Sequence, residues 1–89
     1  MIPVFRKTPT EVLDYDFTWE LEDDETIVTS TWAATGTGLT IGMTLVSGAT
    51  VKIWLSGGTL GASYTVTNTI TTSDGRTLQD SFSMLIRAA

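Results

Sequence analysis

Two residue classes alternate through the stretch SYTVTNTITTSDGRT, which spans residues 63–77. Threonine fills every second position from Thr65 to Thr71, and the positions between them are apolar except for Asn68. A period of two places successive side chains on opposite faces of a strand, and β-branched threonine suits such a pleated surface. This pattern predicts a half-buried strand with an outward threonine face. Asn68, on the inward face, is expected to hydrogen-bond a buried backbone group; otherwise this face is not wholly core.

The same period recurs along most of the chain, and no stretch has a convincing apolar repeat of 3.6 residues. Residues 13–22 alternate apolar positions with largely acidic ones, which predicts a long first strand with its acids outward. Its predicted inward side chains are Leu13, Tyr15, Phe17, Trp19 and Leu21. Besides the strand in the opening stretch, further strands are predicted at residues 26–33, 39–46, 50–55 and 77–87.

Local features add detail to these strands. Ile27 and Trp32 are five positions apart, so an uninterrupted strand would place these two apolar side chains on opposite faces. This predicts a bulge in the second strand. The dipeptide at residues 74–75 is Asp-Gly, which predicts a hairpin with a type I′ turn. The predicted inward residues of the third and fourth strands are Leu39, Ile41, Met43 and Leu45, then Val51, Ile53 and Leu55.

Six or seven short strands separated by turn signals predict two packed antiparallel sheets. The predicted fold is all-β, a small immunoglobulin-like or fibronectin III-like β-sandwich, with a small closed barrel as the alternative. Trp32 suits the centre of such a core, and Tyr64 is placed like the tyrosine corner of these domains. The predicted structural core residues are Trp19, Trp32, Tyr64 and Phe82.

A chain of 89 residues is expected to form one domain. We place that domain at residues 9–89 and treat residues 1–8 as an N-terminal arm, because the apolar MIPVF precedes a polar linker. Such an arm needs a surface to bury against. It either adds an edge strand to its own sheet or docks on a neighbouring subunit. The candidate interface residues of the arm are Ile2, Pro3, Val4 and Phe5. Trp54 is a further candidate, because it lies on the outward face of its predicted strand.

Composition excludes several kinds of chemistry. The chain lacks histidine and cysteine, so Ser-His-Asp and Cys-His catalytic arrangements cannot form. The net charge is −5, and the acidic first strand disfavours binding to nucleic acid or anionic membranes. No apolar run approaches the roughly 20 residues that a membrane-spanning helix needs. The chain is expected to be soluble and made in the cytoplasm.

Five side-chain oxygens in the acidic segment have the spacing of an EF-hand loop, which raises a calcium-site hypothesis. They belong to Asp14, Asp16, Thr18, Glu22 and Glu25. Trp19 stands where that loop needs glycine, and an amphipathic strand explains the same residues. Residues 22–25 are expected to form a solvated turn, and Arg76 to pair with Asp74 or Asp80. No catalytic, metal-binding or cofactor-binding residue is predicted.

Four blocks of the sequence resemble a known family. They are PTEVLDY at residues 9–15, the segment around residues 25–32, WLSGG at residues 54–58, and YTVTN with TTSDGRT across residues 64–77. Together they resemble the phage fiber–tail adaptor proteins, which are small structural proteins of tailed-phage virions. The resemblance covers most of the chain after residue 8 and leaves the MIPVF arm outside it.

This resemblance implies a small β-domain without catalytic residues or cofactors, present in several copies per virion. Its implied role is to join fibre or spike proteins to the tail or neck. The implied partners are other virion proteins, in tail, neck, fibre or capsid, with no nucleic acid and no membrane. Two alternatives stay open. One is a capsid decoration protein, and the other is a carbohydrate- or surface-binding module in which Trp54 or Tyr15 would stack on sugar rings.

Overall fold

The structure of the chain is a computed structural model that describes residues 4–88. Strands, turns and loops make up this range; it contains no helix, and therefore none that could span a bilayer. The all-β prediction is confirmed. The strands are β1 (Val4–Lys7), β2 (Leu13–Thr18), β3 (Ile27–Ala34), β4 (Leu39–Ser47), β5 (Thr50–Gly57), β6 (Ser63–Thr72) and β7 (Thr77–Ile86).

The strands form two sheets, with the orders β1-β7-β6-β3 and β2-β5-β4. Immunoglobulin constant-type domains place strands B, E and D in one sheet and C, F and G in the other. The same grouping results when β1 to β7 are lettered A to G. The difference is the first strand, which pairs parallel to β7 rather than joining the sheet that contains β2. The sandwich prediction is therefore confirmed, and the closed barrel is not what residues 4–88 form.

The core lies where the inward faces of β5, β6 and β7 meet. Its fully or almost fully buried side chains are Val51, Ile53, Leu55, Tyr64, Val66, Ile70, Phe82, Met84 and Ile86. The predicted inward face of the fourth strand is confirmed, because all three of its residues have an exposed fraction of 0%. Burial of one such side chain stabilises the fold by about 1.5–3 kcal/mol, which makes this cluster the main source of stability.

Tyr64 joins the core to two loops. Its ring is buried at the start of β6, and its hydroxyl donates to the carbonyl oxygen of Thr37 at 2.5 Å. The Tyr64 hydroxyl oxygen in turn accepts a hydrogen bond from the Thr59 amide, five residues upstream, at 3.0 Å. This is the hydrogen-bond pattern of a tyrosine corner near the start of strand F.

The β6–β7 hairpin turns where expected, but the predicted type I′ turn is wrong. That turn needs a positive φ at both central residues, and only Gly75 has one, at +86°. The Gly75 amide donates to the Thr72 carbonyl at 3.0 Å, and the Thr72 amide donates to the Arg76 carbonyl at 2.9 Å. The connection is thus a three-residue loop with glycine in the left-handed position, a common hairpin form.

A bulge in each of two strands changes which of the following side chains face the core. The bulge predicted in the second strand is confirmed, since the pairing of β3 with β6 shifts between Ile27 and Thr29. A second, unpredicted shift occurs in β4 between Ile41 and Thr44. It makes the prediction for Met43 and Leu45 wrong, because these side chains are 65% and 51% exposed instead of inward.

The first predicted strand is also shorter than expected. β2 ends at Thr18, and the Trp19 amide donates to the Ala49 carbonyl at 2.9 Å as the chain leaves the sheet. Asp14 and Asp16 are exposed on its outer face, as the alternation predicts. Trp19 itself reaches across to the other sheet, so its position depends on a side-chain contact and not on continued strand pairing.

Candidate interface surfaces

The outer surface of the four-stranded sheet is formed mainly by hydroxyl and amide side chains of β3, β6 and β7, and we call this part the threonine face. Arg6 and Leu85 lie beside it on the same surface, near β1. The members of the threonine face are Thr29, Thr31, Thr65, Thr67, Thr69, Thr71, Gln79 and Ser81. Cross-strand hydrogen bonds join Thr29 to Thr71 at 2.6 Å, Thr67 to Ser81 at 2.9 Å and Gln79 to Thr69 at 3.0 Å. None of these side chains is ionisable, and their mutual bonds hold the surface in one arrangement.

The outer surface of the three-stranded sheet has a different chemistry. Lys52 on β5 lies between two carboxylates of β2, with its Nζ 3.5 Å from Asp14 and 3.7 Å from Asp16. Trp54 lies on the same surface, opposite Asp14 in the strand pairing, and is half-buried. Among residues 4–88, no group of three acidic side chains could hold a metal ion, so the EF-hand spacing of this segment does not become a cluster.

The described part of the N-terminal arm forms β1 at the sheet edge. Val4 is 54% exposed, whereas Phe5 packs between the sheets against partly and fully buried rings. The ring centroid of Phe5 lies 4.8 Å from that of Tyr15 and 5.3 Å from that of Phe82. The aromatic ring of Phe5 is therefore used within the chain. Ile2 and Pro3, the other candidate arm residues, lie outside the described residues.

Lys7 closes this strand in an unexpected way. Its side chain is fully buried, and its Nζ donates to the carbonyl oxygens of Thr8, at 2.6 Å, and Gly57. Burial lowers the pKa of Lys7, and the nearby Glu11 carboxylate opposes that shift. Residue type gave no signal for this burial, because lysine is almost always exposed unless its ammonium group is paired.

The free edge strand β4 carries no charged residue over residues 39–47, and most of its residues are apolar. Met43, Leu45 and Val46 are 65%, 51% and 46% exposed along it. Edge strands normally carry charges or proline that block pairing with other chains. β4 carries neither, and only the bulge next to Gly42 interrupts it, so its edge is a further candidate contact surface.

A polar cluster joins the two sheets near the end of β2. Asn68 is 4% exposed, and its Oδ1 accepts a hydrogen bond from Trp19 Nε1 at 3.0 Å. Its Nδ2 donates to Ser30 Oγ and to the Thr31 carbonyl, each at 2.9 Å. The expectation that Asn68 hydrogen-bonds a backbone group is confirmed by its part-buried contact with the Thr31 carbonyl. Sequence reasoning missed the pairing with Trp19, although an amide on an apolar strand face signals that some partner is present.

Glu25 and Arg76 form an ion pair, and the predicted partner of Arg76 is therefore wrong. Arg76 contacts Glu25 instead of Asp74 or Asp80, with Nε donating to Oε2 at 2.8 Å and Nη2 donating to Oε1. Thr72 Oγ1 also donates to Oε2, at 2.5 Å. These bonds lower the pKa of Glu25 from its ordinary 4.5 to about 2. The expected solvated turn is therefore wrong at Glu25, whose side chain is buried.

The four predicted core aromatics occupy two environments. Tyr64 and Phe82 are each 2% exposed and belong to the central cluster. Trp32 packs against that cluster while staying partly accessible, and Trp19 is half-buried above Asn68.

A comparison with protein families finds a match over residues 7–85 to the family described as Podophage GP4 fiber-tail adaptor protein gp77. The match spans both sheets and excludes only the first six and the last four residues. The chain belongs to this fiber-tail adaptor family. A comparison with curated proteins finds no match. Family membership confirms the resemblance. It supports a structural role in a phage virion and interaction with tail and fibre proteins.

Proposed function

We propose that this adaptor-family chain is a non-enzymatic connector, made in the host cytoplasm and built into the virion in several copies, that joins fibre subunits to the tail. The observation that carries the proposal is the difference between its two outer surfaces. The threonine face has no ionisable side chain, and Arg6 lies only at its β1 edge, whereas the opposite sheet presents Asp14, Asp16 and Lys52 around Trp54. A connector needs two such surfaces, one for each partner.

The two surfaces suit contacts of different kinds. A face of neutral hydroxyls costs less to remove from water than a charged face does, and its oxygens can form new hydrogen bonds with a partner. Charged groups around Trp54 instead favour orientation and specificity, while the aromatic ring supplies contact area. The surplus of acids supports protein partners over nucleic acid, since phosphate binding needs clustered Lys and Arg.

The test introduces the same bulky cation on each surface. Thr69→Arg alters the centre of the threonine face, and Thr18→Arg alters the outer surface of the three-stranded sheet, where Thr18 is exposed beside Thr50. Thr10→Arg, in the exposed β1–β2 connection, is the matched control. Thermal unfolding first establishes that all three variants fold. Quantitative mass spectrometry then measures the copies of adaptor and fibre in each purified virion.

We expect one surface variant to abolish incorporation of the adaptor, and the other to retain the adaptor while losing fibre. The control should match wild-type virions in both counts. Full incorporation and full fibre occupancy in both surface variants would overturn the proposal. It would equally be overturned if the protein coats isolated capsid shells in hundreds of copies, because that is the behaviour of a decoration protein.

A further inference from the structure

A cavity of about 320 Å³ opens between the two sheets where β2 ends. Four aromatic side chains form most of its apolar wall: Phe17, Trp19, Trp32 and Phe82. The rings of Phe17 and Phe82 are stacked with centroids 5.0 Å apart, and Trp32 lies 6.0 Å from Phe17. The wall is therefore a rigid aromatic surface built from both sheets, large enough for one long side chain or one small ring.

One polar atom of this wall has no partner in the described chain. The indole nitrogen Nε1 of Trp32 is buried, and no acceptor lies within hydrogen-bond distance of it among residues 4–88. By contrast, the Trp19 indole donates to Asn68. An unpaired buried donor destabilises the packing around it, so a rearrangement of this wall on binding that gives the nitrogen an acceptor would be favourable. The amide of Asn68 is already committed to three hydrogen bonds and does not supply it.

Two carboxylates stand at the opening of the cavity. Glu20 and Asp80 both line it and are both exposed. The ion pairs found in residues 4–88 join Lys52 to Asp14 and Asp16, and Arg76 to Glu25, so they leave these two carboxylates without a cation. The opening of the cavity is thus negatively charged, and the cations of these ion pairs, Lys52 and Arg76, contact other carboxylates.

We propose that this cavity is a socket for an arginine side chain on an extended segment of a partner protein. A guanidinium group stacks on aromatic rings and forms paired hydrogen bonds with carboxylates, so both the wall and the rim favour it. A neutral sugar would also stack on the rings, but it would leave the charge of Glu20 and Asp80 without a counterpart.

This inference names the chemistry of one contact and rests on the proposed function only in taking the partner to be a virion protein. It is tested on the isolated adaptor, so its failure is distinct from failure of the virion experiment. The probes are the methylamides of N-acetyl-arginine and N-acetyl-citrulline, which have nearly the same shape but differ in charge. Methyl glucoside is the third probe. Each is titrated while the indole N–H signals are followed by NMR.

We expect the arginine probe to shift the Trp32 and Trp19 signals saturably, while the signal of Trp54, on the outer surface of the three-stranded sheet, stays in place. The citrulline probe should bind at least about tenfold more weakly, because it lacks the cation. Asp80→Asn should weaken binding of the arginine probe about two- to fivefold. Asp74→Asn, in the exposed hairpin loop, is the matched control and should leave binding unchanged.

Three results would overturn the proposal. The first is the absence of any saturable shift with the arginine probe. The second is equal binding of the arginine and citrulline probes, which would show that the carboxylates play no part. The third is tighter binding of methyl glucoside, which would make the cavity a sugar site instead.

Discussion

Asn68 offers the sharpest test of how the two sheets are held together. It is 4% exposed, and its amide forms three hydrogen bonds, to Trp19, Ser30 and Thr31. Asn68→Ala removes all three and leaves an indole donor and a backbone carbonyl without their partner. Each lost bond is worth about 1 kcal/mol net, and partial access of water to the released groups limits the additional penalty. The expected loss in the free energy of unfolding is about 2–4 kcal/mol.

The assay is urea unfolding followed by tryptophan fluorescence and circular dichroism, with Cm and m compared between variants. A loss of this size should lower Tm by at least about 8 °C in a domain as small as this one. Gln79→Ala is the matched control, since it removes one exposed side-chain hydrogen bond, to Thr69, which is the neighbour of Asn68 on β6. It should change stability by no more than about 0.5 kcal/mol. If Asn68→Ala costs no more than Gln79→Ala, the amide does not link the sheets and the reasoning is refuted.

Two further predictions concern a carboxylate and a glycine. The pKa of Glu25 is about 2 when folded against an ordinary 4.5, so the ionised form stabilises the fold above pH 4.5, and this contribution is lost as pH falls towards 2. Chemical unfolding between pH 2 and 7 should show this acid loss in wild type and a flatter profile in Glu25→Gln; parallel profiles would contradict it. Gly58 has φ +103° and would place a Cβ 2.6 Å from Ile86 Cδ1, whereas Gly61 has φ +83° and open space around it. Gly61→Ala should cost about 1–2 kcal/mol from backbone strain, and Gly58→Ala about 1–3 kcal/mol more from the clash, both measured in urea. Equal losses would show that the contact with Ile86 relaxes freely.

The sheet architecture was predictable because burial follows local alternation. In β5 and β6, inward and outward residues alternate without a break, so composition at every second position was enough to assign both faces. In β4 the same reasoning failed after Ile41, because one inserted residue reverses the parity of all that follow it. Gly42 was the available signal, since glycine inside a strand often marks a bulge.

The candidate contact surfaces were less predictable because they depend on pairs that are distant in sequence. Arg76 has acidic residues two and four positions away, yet it contacts Glu25, which only the packing of the β2–β3 connection against the β6–β7 hairpin brings near. The socket likewise needs Trp19 and Trp32 from different sheets. Period-two patterns report which way a side chain faces, but they do not report what it meets there.

The pairing of β1 with β7 sets the order in which this sheet can be assembled. Val4 lies opposite Ser83 and Lys7 opposite Ile86, so the contact joins opposite ends of the described chain. On the ribosome, β1 emerges first but has no partner until β7 has been synthesised. Contacts between such distant segments form slowly, and the edge of β7 stays open in the meantime. When many copies are made together, strands of different molecules are able to pair wrongly until β1 has paired with β7. The speed of that pairing therefore limits the time available for misassembly.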